Sequence, residues 1–337
     1  MTIDMIRERL RGEEYAFLRS NEHLNKNIIL LGLGGSHAYG TAVEGSDIDI
    51  RGCALNSPCE ILLGEDFEQV CHIPTDTVVY SFNKLINLLT GCNPNTIELL
   101  GLKEEQYIYL SDTGRKLIGN RKLFLSKQAV FTFGGYADDQ LRRLDNKSAR
   151  SADKSIMEEH ILRSLKRMTA NEFGLDDCQL SLYTDTSEKP DFEREIFIDI
   201  DLKHYPVRDL ESVLSKLGTI IRDYSKTGKR NRKAIAHGKL SKHMMHLIRL
   251  YMMCSDILEK EEIITCREKE HSLLMDIRNG KYLDDEGQPV PEFYELVDEY
   301  KRRCDYAAEN TSLPEKPDIK RIREFKAAVN EKIIREN

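Results

Sequence analysis

The sequence predicts an α+β chain in which a small mixed β-sheet is followed by a mostly helical region. An apolar run at 28–33 leads through a glycine-rich turn into the alternating string SDIDIR at 46–51, and a second alternating run spans 76–82. Beyond about residue 115, long charged segments with apolar residues at helical spacing dominate.

In chain order, residues 4–23 carry a helical pattern through Met5, Leu10, Tyr15, Phe17 and Leu18, and strands are predicted at 28–33, 46–54 and 76–82. Helical spacing marks 127–145, 154–172, 208–223, 239–259, 267–277 and 317–335, interrupted by an irregular polar stretch at 174–202. The expected division is a catalytic domain over residues 1–115 and a mostly helical domain over 116–337. No internal repeat or low-complexity tract is visible.

A chain of 337 residues can bury two sizeable cores. Charged residues make up 32 %, hydrophobic ones 40 %, and the mean hydropathy is −0.49, a heavily solvated composition. No apolar run approaches a membrane span and no secretory pattern is present, so a cytoplasmic protein with no membrane partner is expected. The eight cysteines form no CxxC pair and no zinc-finger spacing, which predicts reduced, mostly buried thiols.

The chemistry is concentrated at residues 28–51, IILLGLGGSHAYGTAVEGSDIDIR. On an extended chain Asp47 and Asp49 share one face while Ile48 and Ile50 occupy the other. Two neighbouring carboxylates repel unless a cation lies between them, and an all-oxygen pair suits a hard divalent metal. The Gly34-Gly35-Ser36 turn lets backbone N–H groups approach an anion, with the Ser36 hydroxyl as a further donor. Carboxylates and a phosphate seat in one unit point to metal-assisted attack on a nucleoside triphosphate.

Two other phosphate loops fail on residue type. The dinucleotide fingerprint that would start at Gly32 and Gly34 meets His37 at its third glycine, and a P-loop drawn from Gly35 to Gly40 continues into Thr41-Ala42 without its lysine.

Gly-Ser followed eleven positions later by Asp-x-Asp resembles the DNA polymerase β superfamily of nucleotidyltransferases. The fuller string GSHAYGT…SDIDIRG is similar to the bacterial and phage RlaP, or YcgL-like, group of predicted nucleotidyltransferases. The block TDTVVYSFNKLINLLTGCNPNTIELL at 75–100 continues the likeness. The resemblance implies a polymerase β-like catalytic domain, with base and triphosphate held between it and a helical domain. It also implies a third metal carboxylate at Asp76, whose alternative is an ordinary turn aspartate. Glu98 matches the family block as well, but is read as a helix-start acid favoured by the dipole. Arg51, on the aspartate face, is expected either to touch phosphate or to bridge to Asp49.

A second acidic alternation, IFIDIDL at 196–202, sets Asp199 beside Asp201 with no glycine turn upstream, so a solvated strand edge is expected. From Tyr224 to Ser255 the chain has no acidic residue but carries Lys226, Lys229, Arg230, Arg232, Lys233, Lys239, Lys242 and Arg249. A basic island in a chain of net charge −7 suggests an anion site. On a helix Lys239, Lys242, His243, His246 and Arg249 fall within an arc of roughly 120°. The resembled family carries a basic, His-containing helix here, which implies Lys239 and Lys242 as triphosphate ligands; a solvated basic face is the alternative. The three histidines at 237, 243 and 246 are expected on a helix surface or at an interface.

The expected activity is NMP transfer from an NTP to a hydroxyl, with release of pyrophosphate. Two Mg²⁺ (or Mn²⁺) ions would sit on Asp47, Asp49 and Asp76, and the triphosphate on Gly35-Ser36. An RNA or tRNA end is the first choice of acceptor. A nucleotide-messenger or short-oligonucleotide synthase, NMP transfer to a protein, and an inactive nucleotide sensor are the alternatives.

Overall fold

The computed structural model describes residues 3–137, 178–186, 194–225, 237–285 and 287–336, with single residues and short runs between 140 and 176. Its N-terminal part is a mixed five-stranded sheet of β1 (Ile28–Leu33), β2 (Ile50–Ala54), β3 (Gln69–His72), β4 (Thr77–Ser81) and β5 (Tyr107–Leu110), ordered β3-β4-β2-β1-β5. β2 and β4 run parallel and the other pairs antiparallel. The six apolar or glycine residues of β1 are all buried, as its inner position between β2 and β5 requires. The α+β prediction holds, with helices dominating after β5.

Several boundaries move for local reasons. The helix expected over 4–23 is split into α1 (Ile3–Arg9) and α2 (Phe17–Ser20), because Gly12 is extended and a 3-10 turn follows at Glu13–Tyr15. The strand expected from 46 begins only at Ile50. By then β1 has ended and the chain has turned into α3 (Gly35–Tyr39), so residues 46–49 lack a strand partner. Alternation survives all the same: Ile48 and Ile50 are buried, while Asp47 is exposed and Asp49 half-buried.

Four helices follow: α4 (Pro58–Leu63), α5 (Phe82–Thr90), α6 (Pro94–Ile97) and α7 (Asp112–Gly119). Ser57 and Glu60 close a reciprocal capping box on α4, and Ser81 caps α5 through the Lys84 N–H. The segment expected to be helical from 127 contains a π-helix at Val130–Gly134. Most of the helix expected over 154–172, and the basic loop from Lys226 to Lys233, lie outside the described residues.

The stretch read as irregular at 174–202 holds an antiparallel hairpin of β6 (Leu180–Thr186) and β7 (Arg194–Ile200). Asp199 and Asp201 are exposed there, and the Tyr183 hydroxyl donates to Asp199 Oδ1 at 3.3 Å. The C-terminal helices are α8 (Val207–Ser225), α9 (His237–Lys260), α10 (His271–Arg278), α11 (Pro291–Asn310) and α12 (Ile319–Glu336). Among the described residues no helix is long and apolar enough to cross a membrane.

Two compact units emerge, neither of them bounded at residue 115. One comprises residues 1–138, 245–282 and 291–337; the other comprises 139–244 and 283–290. In the first, the core under the sheet is built by Leu24, Leu31, Leu33, Ile48, Ile50 and Val79. α12 packs on α4 and α5, with Phe325 edge-on to Phe82, which is why the C-terminus belongs to the sheet's unit. The second unit buries Leu180 and Leu182 of the hairpin with Val213 and Leu217 of α8.

In the first unit Asp256 of α9 pairs with the Arg267 guanidinium, both side chains almost fully sequestered. The Arg267 N–H donates to Tyr39 O at 3.3 Å, so this pair fixes the end of α3. Asp256→Ala leaves a buried guanidinium uncompensated and is expected to cost about 3–5 kcal/mol in urea-unfolding stability.

Candidate active site

β1 delivers the chain to Gly34, whose N–H donates to Asp49 O at 2.8 Å, so the turn and the acidic segment lie back to back. The approach excludes side chains on the turn. A Cβ at Gly35 would fall 1.7 Å from Asp49 Oδ2, and one at Gly34 would fall 3.1 Å from Asp49 Cβ. Gly35 also has φ +53, a left-handed conformation costly for other residues. Gly40 closes α3, again left-handed at φ 76.

Asp76 reaches the same place through the parallel pairing of β2 with β4, in which Ile50 lies opposite Thr77. It is held in a left-handed turn (φ 42, ψ 46), and its carbonyl accepts from Ile50 N at 3.2 Å. Its carboxylate lines the same cavity as that of Asp49, and each acts on the other's titration. Burial pushes the Asp49 carboxyl up to about 6, helped by the hydrogen bond and charge of Asp76 and opposed by Arg51; Asp47 contributes the smallest push. Asp76 moves the other way. Burial alone would raise it, but the hydrogen bond from Asp49 and the Arg51 charge hold it below the usual carboxylate range. The two carboxyls therefore influence each other's titration, with Asp49 the less acidic of the pair.

Arg51 settles on Asp76 rather than Asp49: Nη2 donates to Asp76 Oδ1 at 2.9 Å and Nη1 to Asp76 O at 2.5 Å. Ser36 is half-buried beside Gly35. Lys242 is exposed on α9, the Lys239 side chain lies outside the described set, and both belong to the second unit.

Gly34, Gly35, Asp49, Arg51 and Asp76 line a cavity of about 310 Å³ together with Tyr39, Glu98, Asn95, Tyr80 and the apolar Leu33, Val78, Leu99 and Leu102. The far wall is built by residues the motif did not single out. Arg249 is fully buried and donates from Nη1 to Glu98 Oε1 at 2.6 Å; the Tyr39 hydroxyl donates to Glu98 Oε2 at 2.9 Å. The Arg249 guanidinium carbon sits 3.5 Å from the Tyr39 ring centroid, and its Nη2 lies 3.0 Å from His246 Nδ1. Burial pushes the Tyr39 phenol up against the pull of Arg249, with Glu98 adding to the rise, so Tyr39 stays a protonated donor.

Two readings change here. Glu98 does open a turn of helix, the 3-10 segment Glu98–Gly101 that follows α6, but its carboxylate is taken by Arg249 and Tyr39 rather than left to the dipole. Arg249 is not part of a solvated basic stripe but a buried counter-ion. The signal was in the sequence: Arg249 lies within LIRLYMM and Glu98 within TIELL, and a charge embedded in an apolar run needs an opposite partner.

All-oxygen donors suit a hard divalent cation, and Asp49 and Asp76 converge as such donors. Asp47 does not join them closely: among the described residues no group of three or more His, Cys, Asp or Glu side chains is arranged to hold a metal ion.

Residues 9–170 match the family RlaP, described as the RNA repair pathway DNA polymerase beta family. This segment is similar to that family over its whole matched length. No curated protein and no solved structure matches the chain significantly. The RlaP segment contains the turn, the three aspartates, Tyr39 and Glu98, whereas Arg249 lies outside it. It is thus similar to polymerase β-family nucleotidyltransferases, and through that family to RNA repair.

Gly35→Ala is expected to displace the Asp49 carboxyl and lower the melting temperature by several degrees, roughly 1–3 kcal/mol of backbone strain. Glu98→Ala strands Arg249 and should cost about 3–5 kcal/mol, against about 1 kcal/mol for Tyr39→Phe. Urea titrations of the two variants order these costs.

Proposed function

We propose that the chain is a metal-dependent nucleotidyltransferase that moves an NMP from an NTP to the hydroxyl of an RNA or tRNA end, releasing pyrophosphate. The observation that carries this reading is the convergence of Asp49 and Asp76 against the side-chain-free Gly34-Gly35 backbone inside one cavity. Similarity to the family supplies the reaction class, and the family's link to RNA repair favours the RNA acceptor.

Asp49 and Asp76, with Asp47 beside them, would hold Mg²⁺ or Mn²⁺. The metal, two ions when complete, would lower the pKa of the acceptor hydroxyl and offset charge on the leaving pyrophosphate. The remaining work falls to the protein. The Gly35-Ser36 turn offers donors to the phosphates, and Arg51 orients Asp76 toward Asp49. Tyr39 and Glu98 close the cavity wall; Glu98, with both oxygens engaged, positions rather than transfers protons. Lys239 and Lys242 carry no part of this proposal.

The test incubates the protein with each labelled NTP and Mg²⁺ or Mn²⁺, with and without RNA, and resolves the products. Extended RNA is expected with wild type, and Asp47→Ala or Asp49→Ala should abolish it while leaving circular dichroism unchanged. Short oligonucleotides or labelled protein would reassign the acceptor, and full activity in both variants would overturn the reading.

A further inference from the structure

Several cations of the sheet's unit are already paired with carboxylates. Arg51 is held by Asp76, Arg249 by Glu98, Arg267 by Asp256, and Lys103 by Glu268. Arg278, the last residue of α10, is different. It is half-buried, and among the described residues no carboxylate oxygen lies within 4.0 Å of its guanidinium. Burial holds its pKa below the usual arginine value.

Its side chain is aimed at the motif. Nη2 donates to Ser46 Oγ at 3.4 Å, a long bond to a hydroxyl that also accepts from Val43 N at 2.9 Å. Ser46 immediately precedes Asp47. His37, one residue after Ser36, has its Nε2 buried without a hydrogen-bond partner. A cation in the last turn of a helix also complements the dipole, but Arg278 reaches across to Ser46 rather than back to its own carbonyls. A guanidinium has five N–H donors in a planar fork suited to phosphate oxygens, and here one is weakly used.

We propose that Arg278 is a phosphate ligand of the nucleotidyltransfer site, its free N–H groups taking non-bridging oxygens at the Ser36–Ser46 edge. This rests on the functional reading above. The phosphate belongs either to the polyphosphate tail of the NTP or to a phosphorylated RNA end, and the two sources share the same chemistry. Arg278 lies outside the segment that matches RlaP.

The test compares the full-length wild type with Arg278→Ala and Arg278→Lys, using inorganic tripolyphosphate, NTP and NMP as calorimetric ligands in the presence of Mg²⁺. RNA with hydroxyl or phosphate ends is titrated in a parallel arm, and thermal melting serves as the fold control. Removing one charge-assisted contact should weaken tripolyphosphate and NTP about tenfold, leave NMP within about twofold, and be partly rescued by lysine. In turnover the loss should appear in KM for NTP more than in kcat. If the alanine variant instead loses only the preference for phosphorylated RNA, the ligand role stands and the phosphate is the acceptor's. Unchanged affinity for every phosphate-bearing ligand, or wild type that binds none of them, overturns the proposal. Arg278-dependent tripolyphosphate binding in a protein whose Asp47 and Asp49 variants keep full transfer activity would sink the catalytic reading and leave the anion site.

Discussion

The site depends on the absence of side chains at Gly34 and Gly35. The turn backbone lies directly on Asp49, whose carboxylate faces the cavity it shares with Asp76. Neighbouring carboxylates repel when both are ionised, and would move apart if either were free to do so. Neither is. Asp49 is pinned through its carbonyl by Gly34, and Asp76 by its left-handed turn, by Ile50 and by Arg51. The sheet is therefore the clamp: β1 fixes the turn, β2 fixes Asp49, and the parallel strand β4 brings Asp76 to the same level.

The opposite wall is rigid for a different reason. Arg249 sits in apolar surroundings where a lone guanidinium would be costly, so the Glu98 carboxyl must stay in place to balance it. Tyr39 is stacked on the guanidinium and bonded to the same carboxylate, and its backbone carbonyl is held by the Arg267 N–H. Tyr39 is also the last residue of α3, the helix that begins at Gly35. The buried ion pair thus braces the far end of the turn whose near end faces the aspartates.

What was legible in the sequence was local. The glycine turn and the Asp-x-Asp alternation follow from side-chain period and from residues within about twenty positions, and these the structure keeps, though the strand expected from 46 starts only at Ile50. Asp76 needed a parallel strand register, which no local pattern specifies. The Glu98–Arg249 bond spans 151 positions, beyond any periodicity. Period alone also misplaced Arg249, because an angular arc tells which residues share a face but not whether that face is covered. The hairpin at 180–200 escaped notice because its strands are polar on one side and flanked by turn residues. The helix at 291–310 goes unmarked because its buried positions, Phe293, Val297, Cys304 and Ala307, are spaced among charges.

Charge at the cavity bears on what can enter it. Arg51 and Arg249 are balanced by Asp76 and Glu98; the acidic motif also carries Asp47 and Asp49, and Arg278 reaches Ser46 beside them. A nucleotide tail is a polyanion, and it would meet two carboxylates with one cation to offset them, in a chain whose overall charge is −7. Backbone donors at the glycine turn contribute only partial charges. On the proposed reading, positive charge must therefore arrive with the substrate, as it does when a nucleoside triphosphate carries its divalent ion. The carboxylate pair then does two things at once: it rejects a bare polyphosphate and recruits a metal-bound one. Arg278 would take the part of the tail that the metal does not cover.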